Sequence, residues 1–441
     1  MARFSLHSLA SSSSRLAEAS ADRPPHAIPA FTMKHLLRFV PLLVLYLVLL
    51  IVFVKPHFVG DEFRYISYTD QLLETGTYTD AHNPVLRNGP GYPIFLLPFR
   101  ALDAPKWLMA LPNVFFLLLS VAYLYRILQY FAPRQALLGA YLFGLYYPLF
   151  LFIPKLSPAT IGLFLITGFT FHYLQVVQSR ELRWRPLLLA GLYMGLLIMA
   201  KFAFGYVLMV SLLLSALAFA IWRKYWLLRT VMMFGLGLAL CIPYLGYTYS
   251  LTGRVMYWGT NGGEQFYWMT SPYGGEKEWG NWQSFENLFN HSIPELHEAH
   301  YEFYQEIKPL DWMARNDAFL AKGKENLAAH PEAYLKNWVA NCFRLLFNYP
   351  NSFAEQNVSA YFYILPNMTI LVLIMLAIYP GWVGRRHIPL EILPPTIFIL
   401  IYLGATTLMN AVPRYFVPVV PFIIIWLTII YSKAVTIKIN A

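Results

Sequence analysis

Two adjacent carboxylates, Asp61 and Glu62, follow an apolar run and Gly60, at the point where a hydrophobic segment meets water. Carboxylates at such a boundary are costly to desolvate, so chemistry is one reason for their presence. Either could act as a general base, taking the proton of a hydroxyl or amine at the membrane surface. The competing reading is structural: Asp and Glu suit a helix N-terminus, and Phe63–Leu73 has the spacing of a short amphipathic helix. Four basic residues, Lys155, Lys201, Arg254 and Arg414, stand at ends of apolar segments. A cation at mid-membrane costs about 2.5–3.5 kcal/mol on insertion scales, so each needs compensation. Snorkelling to water is one form of it. The other is a lipid phosphate held at the bilayer interface. Lys201, flanked by Met199-Ala200 and Phe202-Ala203, suggests the second most directly. Arg87, Tyr92, His82 and Tyr415 are the substrate-binding candidates. His82, beside Asp80, has the chemistry of a metal ligand or a base, although a lone loop histidine is usually neither.

The elements that must hold these residues follow from composition. Hydrophobic residues make up 58% of the 441 and charged residues 13%, about half the charged share of a soluble domain. Nineteen of the 23 acidic residues lie in two stretches, 55–106 and 251–360. This layout implies an all-α polytopic membrane protein with two large loops on one side. Ten apolar segments have near-spanning length: 36–54, 107–125, 136–153, 158–176, 187–201, 204–221, 230–250, 361–380, 390–409 and 415–432. The pair at 187–221 is the least secure, because Lys201 could lie inside one bent segment. Basic groups fall at every second boundary, from Lys34/Arg38 to Lys433/Lys438. The positive-inside rule then places those groups and both termini in the cytoplasm, with the two acid-rich loops outside.

Five regions result. Residues 1–32 form a polar N-terminal extension containing Ser11-Ser12-Ser13-Ser14 and Arg23-Pro24-Pro25. It reads as a disordered tail or as sequence upstream of a true start at Met33, and its Ser and Arg content leaves a transit peptide open. Residues 33–250 form an N-terminal transmembrane catalytic module. Residues 251–360 form a second large outer loop with a small, mostly helical domain over 284–347. The last helices occupy 361–432, and 433–441 is a cytoplasmic tail. The first outer loop carries two interfacial helices, Phe63–Leu73 and Ile94–Leu102, the latter after a tight turn at Gly89-Pro90-Gly91-Tyr92-Pro93. Clustered aromatics in the second loop (Tyr257-Trp258, Phe266-Tyr267-Trp268, Trp279 and Trp282) suit a sugar ring, an isoprenoid chain or ordinary packing. Cys241 and Cys342 form no CxxC pair. The sequence has no zinc-ligand cluster, Gly-rich phosphate loop or RNA-binding signature. The formal charge of +10 reflects basic cytoplasmic loops, with no nucleic acid implied.

In order along the chain, these motifs resemble the C-type membrane glycosyltransferases, in particular the bacterial branch related to protein mannosyltransferases and the lipid A aminoarabinose transferase. Gly60-Asp61-Glu62-Phe63-Arg64-Tyr65 follows the first span, and Leu73-Glu74-Thr75-Gly76-Thr77-Tyr78 resembles the family's continuation. Gly89-Pro90-Gly91-Tyr92-Pro93 looks like its Pro-Gly-Tyr-Pro turn. Leu189–Gly195 precedes Lys201, where relatives often carry Arg. Gly253-Arg254-Val255, Thr260-Asn261-Gly262-Gly263 and Arg414-Tyr415 with Pro418 and Pro421 complete the series. The resemblance spans about residues 36–432. It implies sugar transfer from a polyprenyl-phosphate donor to a glycan, lipid or protein acceptor on the outer face of the cell (inner) membrane, usually with inversion. The matched Asp61 would be the base. One departure stands out: Lys155-Leu156-Ser157-Pro158-Ala159 places Pro158 where relatives commonly carry an acid. This removes a candidate metal ligand, so a divalent metal is not supported and no cofactor is assigned. A flippase for polyprenyl-linked glycans and a surface-polysaccharide polymerase or ligase are the alternatives.

Overall fold

The computed structural model describes residues 36–283, 293–354 and 358–434; the N-terminal extension 1–32 lies outside them. The chain is an all-helical multi-pass membrane protein, with no strand among the described residues. Among the described residues six helices are long and apolar enough to cross a bilayer: 106–131, 159–177, 203–222, 360–383, 390–409 and 413–432. Tyr225–Ala239 and Ile242–Thr252 make a seventh if their 47° bend is counted as one span. Pro243 enters the second of these helices at its first turn, and a proline there leaves a carbonyl of the preceding turn without a donor. Val40–Phe53 and Trp184–Ala200 are apolar but shorter.

The expected third span, 136–153, is not a continuous helix. It is a nine-residue helix, Ala136–Gly144, followed by a 3₁₀ turn, Tyr147–Phe152. Pro148 lacks the N–H that would reach back to the Gly144 carbonyl and crowds that position, so the helix stops there. The freed carbonyl is not left bare, because the Tyr46 hydroxyl donates to it at 2.7 Å. The count of ten therefore rests on four segments that are short, bent or broken. Lys201 lies in an extended break between Trp184–Ala200 and Ala203–Trp222, so the 187–221 pair is two helices.

Both acid-rich loops pack at the same end of the bundle. The first contributes the Asp61 helix (Asp61–Thr75) and the helix Gly91–Ala101, which starts inside the expected tight turn. The second contributes Gly262–Thr270, Pro294–Ile307, Trp312–Ala329 and Pro331–Phe347 around its own small core of Tyr267, Trp268, Leu296, Tyr304, Ile307 and Phe319. Leu86 and Thr260 join the loops: the Leu86 N–H donates to Thr260 Oγ1 at 3.0 Å, and the Thr260 N–H donates to the Leu86 carbonyl at 2.9 Å. The Trp312 N–H donates to Asn83 Oδ1 at 3.0 Å.

Candidate functional site

The Asp61 helix starts from Gly60, whose φ of +56° is one that glycine adopts readily and other residues rarely do. Its first two side chains then enter opposite environments. A third of the Asp61 side chain is exposed. Arg64, one turn along, donates from Nη2 to Oδ1 at 2.5 Å. Arg414, from the turn Pro413–Tyr415, donates from Nη1 to Oδ2 at 2.5 Å. Burial pushes the Asp61 carboxyl up, but Arg414 and Arg64, helped by Arg87, outweigh it and hold the group below its ordinary value. Glu62 is buried, and it accepts from Lys106 Nζ at 2.6 Å, the Val59 N–H at 2.8 Å and the Leu156 N–H at 3.0 Å.

Lys201 stands beside Arg414. Its Nζ donates to the Tyr402 hydroxyl at 2.5 Å and lies 3.8 Å from the centre of the Tyr415 ring. The Arg414 guanidinium lies 5.5 Å from the centre of that same ring, so one aromatic face system holds two cations close together. Among the described residues Lys201 meets no carboxylate within ion-pair distance. The first loop is seated directly on this region. A Cβ on Gly89 would lie 2.2 Å from the Met199 carbonyl oxygen, and one on Gly91 2.7 Å from the Met199 carbonyl carbon. Only glycine lets the backbones approach so closely two residues before Lys201.

The other expected residues divide into near and remote. Lys155 is exposed at the rim, and the next residue, Leu156, is the one bonded to Glu62. Tyr92 is buried edge-on to Tyr65, in the layer beneath Asp61. Tyr415 lies within the cation cluster. Arg87 is paired with Glu264 at 2.6 Å and lies against the Trp282 and Trp312 rings, so it bridges the loops while adding its charge to the field at Asp61. Arg254 is paired with Asp317 at 2.5 Å and stacks on Tyr257. His82 is exposed, and its backbone N–H donates to Asp80 Oδ1 at 2.8 Å. Among the described residues no three metal-ligating side chains gather.

Three contributors had no role assigned from sequence. Arg64 stood inside the quoted motif without one. Lys106 begins an apolar span, the criterion that selected Lys155 and Arg414, and could have been found by it. Tyr402 sits in an apolar helix, where nothing in the sequence distinguishes it.

Residues 88–247 match the family model described as dolichyl-phosphate-mannose-protein mannosyltransferase. This bears out the resemblance drawn from the motifs over that stretch, which begins beyond Asp61. No curated protein matches the chain. Two solved structures of ArnT from Cupriavidus metallidurans are similar at 14% identity. The one bound to undecaprenyl phosphate aligns with 92% of this chain and 78% of its own at a TM-score of 0.38. The one in the apo state aligns with 90% and 77% at 0.35. Likenesses this loose place no residue of this chain on theirs.

Proposed function

We propose that this chain is a membrane glycosyltransferase that takes a sugar from a polyprenyl-phosphate donor and passes it to a hydroxyl or amine acceptor on the extracytoplasmic face. The observation that carries this reading is the Lys201–Arg414–Asp61 arrangement. Two cations share the Tyr415 ring, and among the described residues one of them meets no carboxylate and the other meets one. A half-buried ammonium with no counter-charge is poorly compensated by a hydroxyl and rings alone. An anionic phosphate at the interface would complete it.

The chemistry then follows from charge. In the resting site both Asp61 oxygens are held by guanidiniums, which makes the carboxylate a weak base. A donor phosphate competes for Arg414 and Lys201, and this competition frees Asp61 Oδ2 to face the acceptor. The acceptor oxygen or nitrogen attacks the anomeric carbon as its proton passes to Asp61. The bond from that carbon to the phosphate oxygen breaks, and its electron pair leaves with the phosphate. Positive groups aimed where this charge develops lower the barrier. Lys155, at the rim, is placed to join Lys201 and Arg414 in that role.

The test uses the full chain in nanodiscs with undecaprenyl phosphate and undecaprenol as probes. The phosphate should bind much more tightly, and Lys201→Met should remove most of the difference. Equal binding of the two lipids would overturn the reading. So would a complex with Lys155, Lys201 and Arg414 all beyond hydrogen-bonding reach of the phosphate. Sidedness is tested separately: reporter fusions at His82 and Glu298 should behave as exported, and those at Arg183 and Arg385 as cytoplasmic.

A further inference from the structure

Glu62 differs from Asp61 in what surrounds it. Three N–H groups converge on its carboxylate, which is only 4% exposed: Lys106 Nζ and the Val59 amide on Oε2, and the Leu156 amide on Oε1. Lys106, equally buried, also donates to the His57 carbonyl at 2.8 Å. One ion pair therefore ties together the segment entering the Asp61 helix, that helix itself, the start of the helix Lys106–Phe131, and the loop carrying Lys155. Asn113, seven residues after Lys106 and so two turns along the same helix face, holds that loop from the other side. Its Nδ2 donates to the carbonyls of Phe152, Ile153 and Lys155 at 3.3, 3.1 and 2.8 Å.

We propose that Glu62 and Lys106 form a buried positioning pair that sets where Asp61 and Lys155 stand relative to each other, and that Glu62 takes no part in bond-making. The consequence for function rests on the transferase reading above; the geometry does not. Val59 lies two residues before Asp61 and Leu156 one after Lys155, so the Glu62 side chain is a brace between the base and one phosphate-binding residue. A carboxylate accepting three hydrogen bonds in a closed pocket has little left to offer an acceptor proton. A glutamine in its place cannot satisfy the same donors. Its amide has one acceptor oxygen, and whichever way it flips its NH₂ faces an N–H. One arm of the brace is lost.

The experiment measures the brace without any donor. In the full chain carrying Cys241→Ala and Cys342→Ser, Lys155→Cys places a thiol at the rim, and its rate of maleimide labelling reports how firmly the loop is held. Glu62→Gln and Lys106→Met should each speed labelling by at least about two- to tenfold, the range for one lost hydrogen bond, which is a floor because each also leaves a buried charge unpaired. The double variant should be no faster than the faster single one, because both act on one link. Asp61→Asn should leave the rate unchanged. Glu62→Asp keeps the charge but is one methylene short of spanning three donors. It should act in the same direction, and it serves if the neutral variants do not fold. Unchanged labelling in folded Glu62 variants, or additive effects in the double, would overturn the proposal. A second arm measures undecaprenyl phosphate binding and turnover in the same variants with Lys155 restored. Lys106→Met should lower turnover as much as Glu62→Gln does; a large loss confined to Glu62 would make it a catalytic residue and overturn the proposal. If labelling responds while the wild-type chain fails to bind the phosphate, the brace stands and the transferase reading falls.

Discussion

Asp61 and Glu62 are neighbours in sequence and opposites in setting. On the Asp61 side of the helix start two arginines meet one carboxylate and solvent still reaches the charge. The Glu62 side is closed, with one cation, two backbone amides and no room left over. The difference separates chemistry from architecture. A reacting group needs access and partners that a substrate can displace. A structural ion pair in a dry pocket needs every hydrogen-bonding position filled, because breaking one costs far more than the intact pair contributes. Arg414 and Arg254 are both in half-exposed pairs with an aspartate, and what sets Arg414 apart is that it shares the Tyr415 ring with Lys201.

Asp61→Asn breaks the comparison most sharply. Turnover should fall about 10²–10⁴-fold, with folding and undecaprenyl phosphate binding retained; purified Asp61→Asn with full activity would remove Asp61 as the base. Gly89→Ala should be the next largest. Its methyl group would meet the Met199 carbonyl oxygen at 2.2 Å, and overpacking of this kind costs about 1–3 kcal/mol. Thermal unfolding should show that loss, and phosphate binding should fall with it, because the first loop is lifted from Lys201. Arg414→Gln should weaken undecaprenyl phosphate binding about 10- to 100-fold, the range for a lost charge-assisted hydrogen bond, whereas Arg385→Gln should change nothing.

A pH series refines the same contact. The Asp61 carboxyl lies below its ordinary value of 3.8 in the folded protein. The stability it contributes is therefore fully present above the unfolded value and is lost as pH falls through the folded one. The Tm difference between wild type and Arg414→Gln should be constant at neutral pH and should close below the ordinary carboxylate value. A difference that widened with acid would reverse the assignment. The smallest effect belongs to Arg254→Gln: an exposed pair is worth about 0–1 kcal/mol, so Tm should move by a degree or two and phosphate binding should hold.

The fold was legible in the sequence to the extent that composition controls it. Apolar runs of spanning length, basic groups at alternate boundaries and acids confined to two loops dictate a helical bundle in a membrane. Pro148 and Pro243 are where helices stop or bend, although the expected spans 136–153 and 230–250 ran straight through them. The break at Lys201 carries no such mark, since neither proline nor glycine lies there. The division between 187–201 and 204–221 nevertheless placed it there, and the first loop lying against Met199 is what the structure adds. The candidate site was legible as a set of residue types: a carboxylate after the first span and cations at span ends.

Residue type at a boundary could not assign roles within that set, because the role depends on which partner arrives from far along the chain. Arg414 reaches Asp61 across 353 positions and Tyr402 reaches Lys201 across 201. Lys106 closes on Glu62 across 44. Sequence by itself determined that two carboxylates would stand together where the chain leaves the membrane. Tertiary packing alone decided that one would stay partly exposed between two arginines and the other would be sealed among its donors, because hydrogen-bond satisfaction belongs to the surroundings and not to the residue.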